Sequence, residues 1–292
     1  MVIKSTKTKI GDWIIVAICV LLIVICLFPM LNVLATSLSS KTAINNRWVY
    51  LWPVEFTLES YTYTLKDWSI IWSLIYTAIL TVISTVVSLL MTILCAYPLT
   101  QNNFVGRKVI NTIVIFTMYF SAGIIPDYIN IRNLGLLDTS ASLILPACLS
   151  VYNMVILKSF LKSVPPSLQE SAELDGASHW VVLFRIYLPL STSVLATLAL
   201  FYAVGRWNGF QDALYYISDS SKYPIQMKLY QIINNLSSVD TMVLEGGGAA
   251  TQQPAESLKS ATIMFATIPI LVVYPWLQRY FITGVTVGAV KG

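Results

Sequence analysis

The sequence predicts an all-α, polytopic membrane protein of six transmembrane helices, on three observations. Of its 292 residues, 56% are hydrophobic and only 11% charged, against roughly 25% charged in an ordinary soluble domain. Apolar runs long enough to cross about 30 Å of hydrocarbon recur along the chain. Each run must be helical, because an open strand in lipid would leave its backbone N–H and C=O groups unpaired.

In chain order the predicted spans cover 13–35, 70–96, 109–129, 143–161, 187–204 and 261–281. The first follows Lys4, Lys7 and Lys9 and precedes the small residues Ala35 and Ser37, so a cleaved signal peptide is its competing reading. Its length and Pro29 favour a retained span over the 7 to 15 residues of a signal core. Residues 1–12 then form an N-terminal segment, 36–69 an outer loop, 70–281 a core carrying the other five spans, and 282–292 a tail. The loop at 207–260 is long and rich in Tyr, Asn and Ser, and is expected to be folded. Within it Gly246, Gly247 and Gly248 read as a flexible turn.

The basic residues set the orientation. With the N-terminus in the cytoplasm, Lys4, Lys7, Lys9, Arg107, Lys108, Lys158, Lys162, Arg185, Arg279 and Lys291 fall on that side. Only the acids Asp12, Glu170, Glu173 and Asp175 join them, so both termini are expected to be cytoplasmic. The net charge of +4 is too weak and too interrupted to argue for nucleic acid. Cys19, Cys26, Cys95 and Cys148 all sit in apolar stretches and read as small buried hydrophobes. His179 is the sole histidine, so no metal site is expected.

The loop at 163–189 carries the strongest signal. Ser163 can cap a helix begun by Pro165 and Pro166, with Glu170 and Glu173 in its first turns and Gly176 breaking it. A second short helix from Ser178 would put Trp180, Leu183 and Phe184 on one side before Pro189 opens the next span. Glu170, Ala172, Asp175, Gly176, Ala177, Phe184, Ile186 and Pro189 together resemble the cytoplasmic E-A-A-x-x-x-G loop of permeases from ATP-binding-cassette importers. Ser171 stands where that pattern usually has a second Ala.

The resemblance continues through N-L-G-L-L-D-T at 133–139, R-W-N at 206–208 and the ending from Gln278 to Gly292. These look like the carbohydrate, maltose-permease-like branch, nearest to permeases for polysaccharides and complex oligosaccharides. The resemblance implies a subunit that translocates sugar delivered by an extracellular binding protein and pairs with a second permease subunit and two ATPase subunits. In that reading 163–189 forms a coupling helix: Glu170 pairs with a basic residue of the ATPase, Gly176 shapes the turn, and Ala172 and Ala177 keep the contact close. Asp175, Trp180, Phe184 and Pro189 complete the contact, and the tail residues Gly288, Ala289, Val290, Lys291 and Gly292 reach the ATPase interface.

ATP and Mg are then expected on the partner ATPases, with no cofactor in this subunit, which is not itself an enzyme. The sequence agrees in having no G-x-x-x-x-G-K-[ST] loop. Tyr202, Arg206, Trp207 and Asn208 offer an aromatic face beside guanidinium and amide donors, a candidate substrate path that an interfacial aromatic belt would explain equally well. No charged residue lies at the centre of a predicted span, which speaks against an ion-coupled secondary carrier. The same architecture importing a peptide or an amino acid remains the alternative.

Overall fold

The computed structural model describes residues 6–234 and 255–289, and every regular element among them is helical. The helices are α1 (Thr6–Ser37), α2 (Lys41–Asn45), α3 (Glu59–Lys66), α4 (Trp68–Ala96), α5 (Arg107–Tyr119), α6 (Ile124–Asn133), α7 (Ala141–Ile144), α8 (Val151–Leu161), α9 (Pro166–Leu174), α10 (His179–Val182), α11 (Leu188–Leu190), α12 (Thr192–Asn208), α13 (Gln211–Tyr216), α14 (225–234) and α15 (Ala255–Ala289). The first five residues, 235–254 and 290–292 lie outside the described residues, and with them the expected turn at Gly246–Gly248.

Among the described residues the expected spans are not all unbroken helices. Three helices in the described residues are long and apolar enough to cross a membrane, Gly11–Ser37, Trp68–Thr100 and Glu256–Val273, and the number rises to five if each of two bent pairs is one span. The expected span at 109–129 breaks after Tyr119, and α5 and α6 diverge by 118°. Gly123 at φ 89° supplies a backbone conformation that side-chain-bearing residues rarely adopt. The span expected at 143–161 is interrupted after α7 near Pro146, which cannot donate to a helical ladder. The segment at 187–204 likewise bends by 81° at Ser191.

The chain forms two compact units, one of residues 1–70 and 229–268, the other of 71–228 and 269–292. In the first, Ser37 Oγ hydrogen-bonds Tyr61 Oη at 2.9 Å, tying the end of α1 to α3. Ser60 Oγ and Ser257 Oγ also bond to one another. Most of α1 is exposed over its whole circumference, Cys19 and Cys26 included, so these two thiols are not buried as their apolar setting suggested. Membrane helices turn apolar side chains to lipid, and hydrophobicity there does not imply burial.

The second unit is organised along α4. Ser73, Thr77, Leu80, Ser84, Ser88, Thr92 and Ala96 recur at three- and four-residue steps and are all buried. Small side chains on one stripe let neighbouring backbones approach closely. Thr77 Oγ1 also accepts the Ile225 N–H at 2.7 Å. One core cluster gathers near the middle of α4 around Leu80, Leu143, Ala213, Ile217, Tyr223 and Met227. The other gathers at its end, where Ala96, Tyr97 and Leu99 pack with Leu157, Leu161, Val182, Leu183 and Leu198. Leu80 and Ala96 are separated by about 24 Å along the helix.

Candidate functional site

The second cluster supports the loop at 163–189. Pro165 is extended, with ψ 128°, as a residue before proline must be, and Pro166 sits at the first helical position, where its missing N–H is no loss. Ser163 does not cap α9. Its hydroxyl donates back to the Phe160 carbonyl at 2.7 Å, and the N-cap is Pro165 with no side-chain cap. Glu173, expected in the first turns, lies at the penultimate position of α9.

The end of α9 is a Schellman turn: the Ala177 N–H donates to the Ala172 carbonyl at 2.9 Å and the Gly176 N–H to the Glu173 carbonyl at 3.0 Å. Gly176 has φ 79°, the left-handed conformation the motif needs. Ala172 and Ala177 face inward, packed against the core cluster, so their small size serves the close seating of α9 on its own subunit. Glu170, Leu174, Asp175 and Gly176 point away from it and are exposed, Leu174 at 89%. Among the described residues Glu170 has no ion-pair or hydrogen-bond partner.

Beyond Gly176 the chain re-enters as α10, followed by a π turn over Leu183–Tyr187 and then α11. The wider turn separates residues that a regular helix would align. Leu183 goes into the core, whereas Trp180 and Phe184 stay exposed with rings stacked at 6.1 Å. The expected trio on one face is therefore a pair. Pro189 lies in the last turn before the bend at Ser191, rather than at the start of an unbroken span.

Sequence reasoning missed Gln169, the hub of this region. Its Nε2 donates to Gln101 Oε1 and to Glu173 Oε1, and its Oε1 accepts the Tyr187 hydroxyl, each at 2.7 Å. Tyr187 in turn meets Tyr97 edge-on at 5.5 Å, and the Tyr97 hydroxyl donates to the His179 carbonyl at 3.2 Å. His179 is itself exposed and enters the network through its backbone. α9, the π turn and the 98–107 segment are thus clasped around a cavity of about 830 Å³, also lined by Arg107, Glu170 and Trp180. Nothing in the sequence marks Gln169 apart from other polar residues, since its partners lie 4, 18 and 68 positions away. Gln169→Ala should cost about 2 kcal/mol by removing these bonds together, and limited proteolysis should cut faster at Lys162 and Arg185; unchanged cleavage would deny Gln169 this role.

A second cavity, of about 1110 Å³, is lined by Ser84, Ser150, Tyr152, Asn153, Tyr202, Arg206 and Asn208 among others, and Trp207 is not part of its wall. The two side chains most suited to binding are already engaged. The Tyr202 hydroxyl bonds Thr92 Oγ1 at 2.7 Å and accepts the Ser150 N–H at 3.1 Å. Arg206 is buried, donating to the Leu143 carbonyl at 2.9 Å and the Gly209 carbonyl at 3.2 Å and forming a bidentate pair with Asp212. A Cβ on Gly209 would lie 2.8 Å from Arg206 Nη2, so a side chain there would displace the guanidinium from its present position. The R-W-N segment thus holds α12 against α7 and α13. Asp219, nearby in sequence, accepts the Ser221 N–H at 2.9 Å, and that bond holds its carboxyl below the usual range.

Of the tail residues, Gly288 and Ala289 close α15, while Val290, Lys291 and Gly292 lie outside the described residues.

Residues 88–287 match the family of binding-protein-dependent transport system inner membrane components. Protein LplC of Bacillus subtilis is 41% identical, covering 92% of this chain and 90% of its own. The polygalacturonan/rhamnogalacturonan transport system permease protein YtcP of the same organism is 38% identical over 98% of this chain and 100% of its own. Among solved structures, a chain of a bacterial ABC transporter involved in import of the acidic polysaccharide alginate superposes with a TM-score of 0.87 at 30% identity, covering 96% of this chain and 100% of that one. With two thirds of its length in the family match and a two-fifths identical relative along nearly all of it, the chain belongs to the binding-protein-dependent transport system inner membrane components.

Proposed function

We propose that this chain is a permease subunit of an ATP-driven importer for oligosaccharides or polysaccharides, embedded in the bacterial cytoplasmic membrane with both termini in the cytoplasm. It pairs with a second permease subunit, receives sugar from an extracellular binding protein, and takes its work from two separate ATPase subunits that hold ATP and Mg. The observation that carries the coupling part is the rim of the 163–189 loop: Glu170, Leu174, Asp175, Trp180 and Phe184 are exposed on a clasped, glycine-turned platform. An apolar and acidic rim on a rigid support suits a protein partner with basic residues around an apolar cleft. Ala172, Ala177 and Pro189 act from behind, by seating that platform. The tail from Gly288 to Gly292 reaches the ATPase interface, a reading that rests on the resemblance of the chain's ending to maltose-type permeases. The sugar assignment draws on what the relatives are named for, and the candidate path past Tyr202, Arg206 and Asn208 follows the second cavity, with Trp207 outside its wall.

The test is reconstitution of the complete importer in vesicles, with Leu174→Cys for crosslinking. ATP-dependent uptake of a labelled oligosaccharide, and a crosslink from position 174 to the ATPase, are the expected results. Solute flux without any ATPase would establish a secondary carrier, and labelling of position 174 from outside intact cells would overturn the orientation.

A further inference from the structure

Residues 46–58, between α2 and α3, expose a run of large aromatic side chains that the transport reading does not use. Trp48, Tyr50, Trp52 and Phe56 all face outward, Trp52 at 80%. The backbone beneath them is nevertheless fixed. The Ser40 N–H donates to the Val54 carbonyl at 3.2 Å, the Val54 N–H to Ser39 Oγ at 3.1 Å, the Thr57 N–H to the Leu38 carbonyl at 3.0 Å and the Trp48 N–H to the Ala43 carbonyl at 3.0 Å. Ser40 Oγ also bonds the Glu55 carboxylate. The loop is therefore a preformed surface.

Its depth is set by one side chain. Asn32 Nδ2 donates to the Tyr50 carbonyl at 2.7 Å. Asn32 lies five residues before the last residue of α1, about 7.5 Å short of the helix end. The loop thus folds back along the flank of a helix whose preceding residues, from Trp13 to Leu31, carry exposed apolar side chains in nearly unbroken succession. A loop held below the end of a membrane-crossing helix lies at the boundary between headgroups and acyl chains. Trp and Tyr favour that boundary, with an apolar ring and a polar N–H or O–H on one side chain. Arg47, exposed at the corner of the loop, is suited to lipid phosphate.

We propose that residues 46–58 form a lipid-interface anchor, seated in the headgroup region of the leaflet where α1 ends and fixing the depth of that helix. A docking face for a protein partner is the competing occupant. The assembled importer is placed in vesicles of phosphatidylethanolamine and phosphatidylglycerol, with native cysteines replaced and a nitroxide attached at Trp52→Cys or, as an aqueous control, at Thr62→Cys. The expected result is a ratio of oxygen to nickel-complex accessibility several-fold higher at 52 than at 62. Equal ratios would put the loop in water, and shielding from both reagents would put it against protein; either overturns the anchor. A second arm keeps the native cysteines. Brominated phosphatidylcholine should quench the unaltered importer more than the Trp48→Phe, Trp52→Phe double variant, and equal quenching would count against the proposal.

Discussion

Gly176→Asp should leave the subunit inserted and folded while reducing sugar uptake by the assembled importer to background. The two halves of that expectation have separate causes. A Cβ built at Gly176 meets nothing within 4 Å, and Asp is among the few side-chain-bearing residues that enter the left-handed region, so the fold bears only a modest strain. What changes is the exposed apex between α9 and α10, where a carboxylate joins Glu170, Glu173 and Asp175. A partner surface that accepts a bare glycine would then have to desolvate an added charge. Gly176→Asn, equally tolerant of the backbone angle but uncharged, should retain part of the uptake. Transport assays beside membrane protein levels decide the matter: full uptake by the Asp variant would remove the apex from the coupling contact, and loss of the protein would assign Gly176 to folding instead.

Arg206→Met should destabilise the subunit severely. The guanidinium joins two backbone carbonyls to a bidentate carboxylate, and removing one partner of a buried pair costs about 3–5 kcal/mol, because the groups left behind lose their compensation. The apparent Tm in detergent should fall by about 10 °C. Asp212→Asn should also destabilise, since the buried Arg206 charge would keep only the Leu143 and Gly209 carbonyls as partners. If Arg206→Met kept its stability and changed only which sugar is imported, Arg206 would be a substrate contact rather than a latch. The outcome separates the two readings that the R-W-N segment allows.

Those two positions also mark how far the sequence could be read. Gly176 was legible because its requirement is local: a left-handed turn between two short helices writes glycine at a fixed offset from Glu170 and Pro189. Arg206 was legible as an important residue but not in its role, because its carbonyl partner at Leu143 lies 63 positions away. Gln169 was not legible at all, for the same reason. The helical breaks at Gly123 and Pro146 were written in the chain, yet apolar runs continue through them, and hydropathy counts residues without asking whether the backbone ladder is continuous.

The sequence by itself determined that the chain is helical and membrane-embedded, which family it joins, and where its turn of fixed shape lies, because hydrophobicity, helix initiation at Pro166 and the left-handed glycine are properties of residues and their near neighbours. Tertiary structure alone decided which of the loop's residues face outward, that Ala172 and Ala177 face in, and that Arg206 and Tyr202 are held by their own subunit. Each of those depends on contacts between segments distant in the chain, and local pattern cannot specify what a side chain will meet.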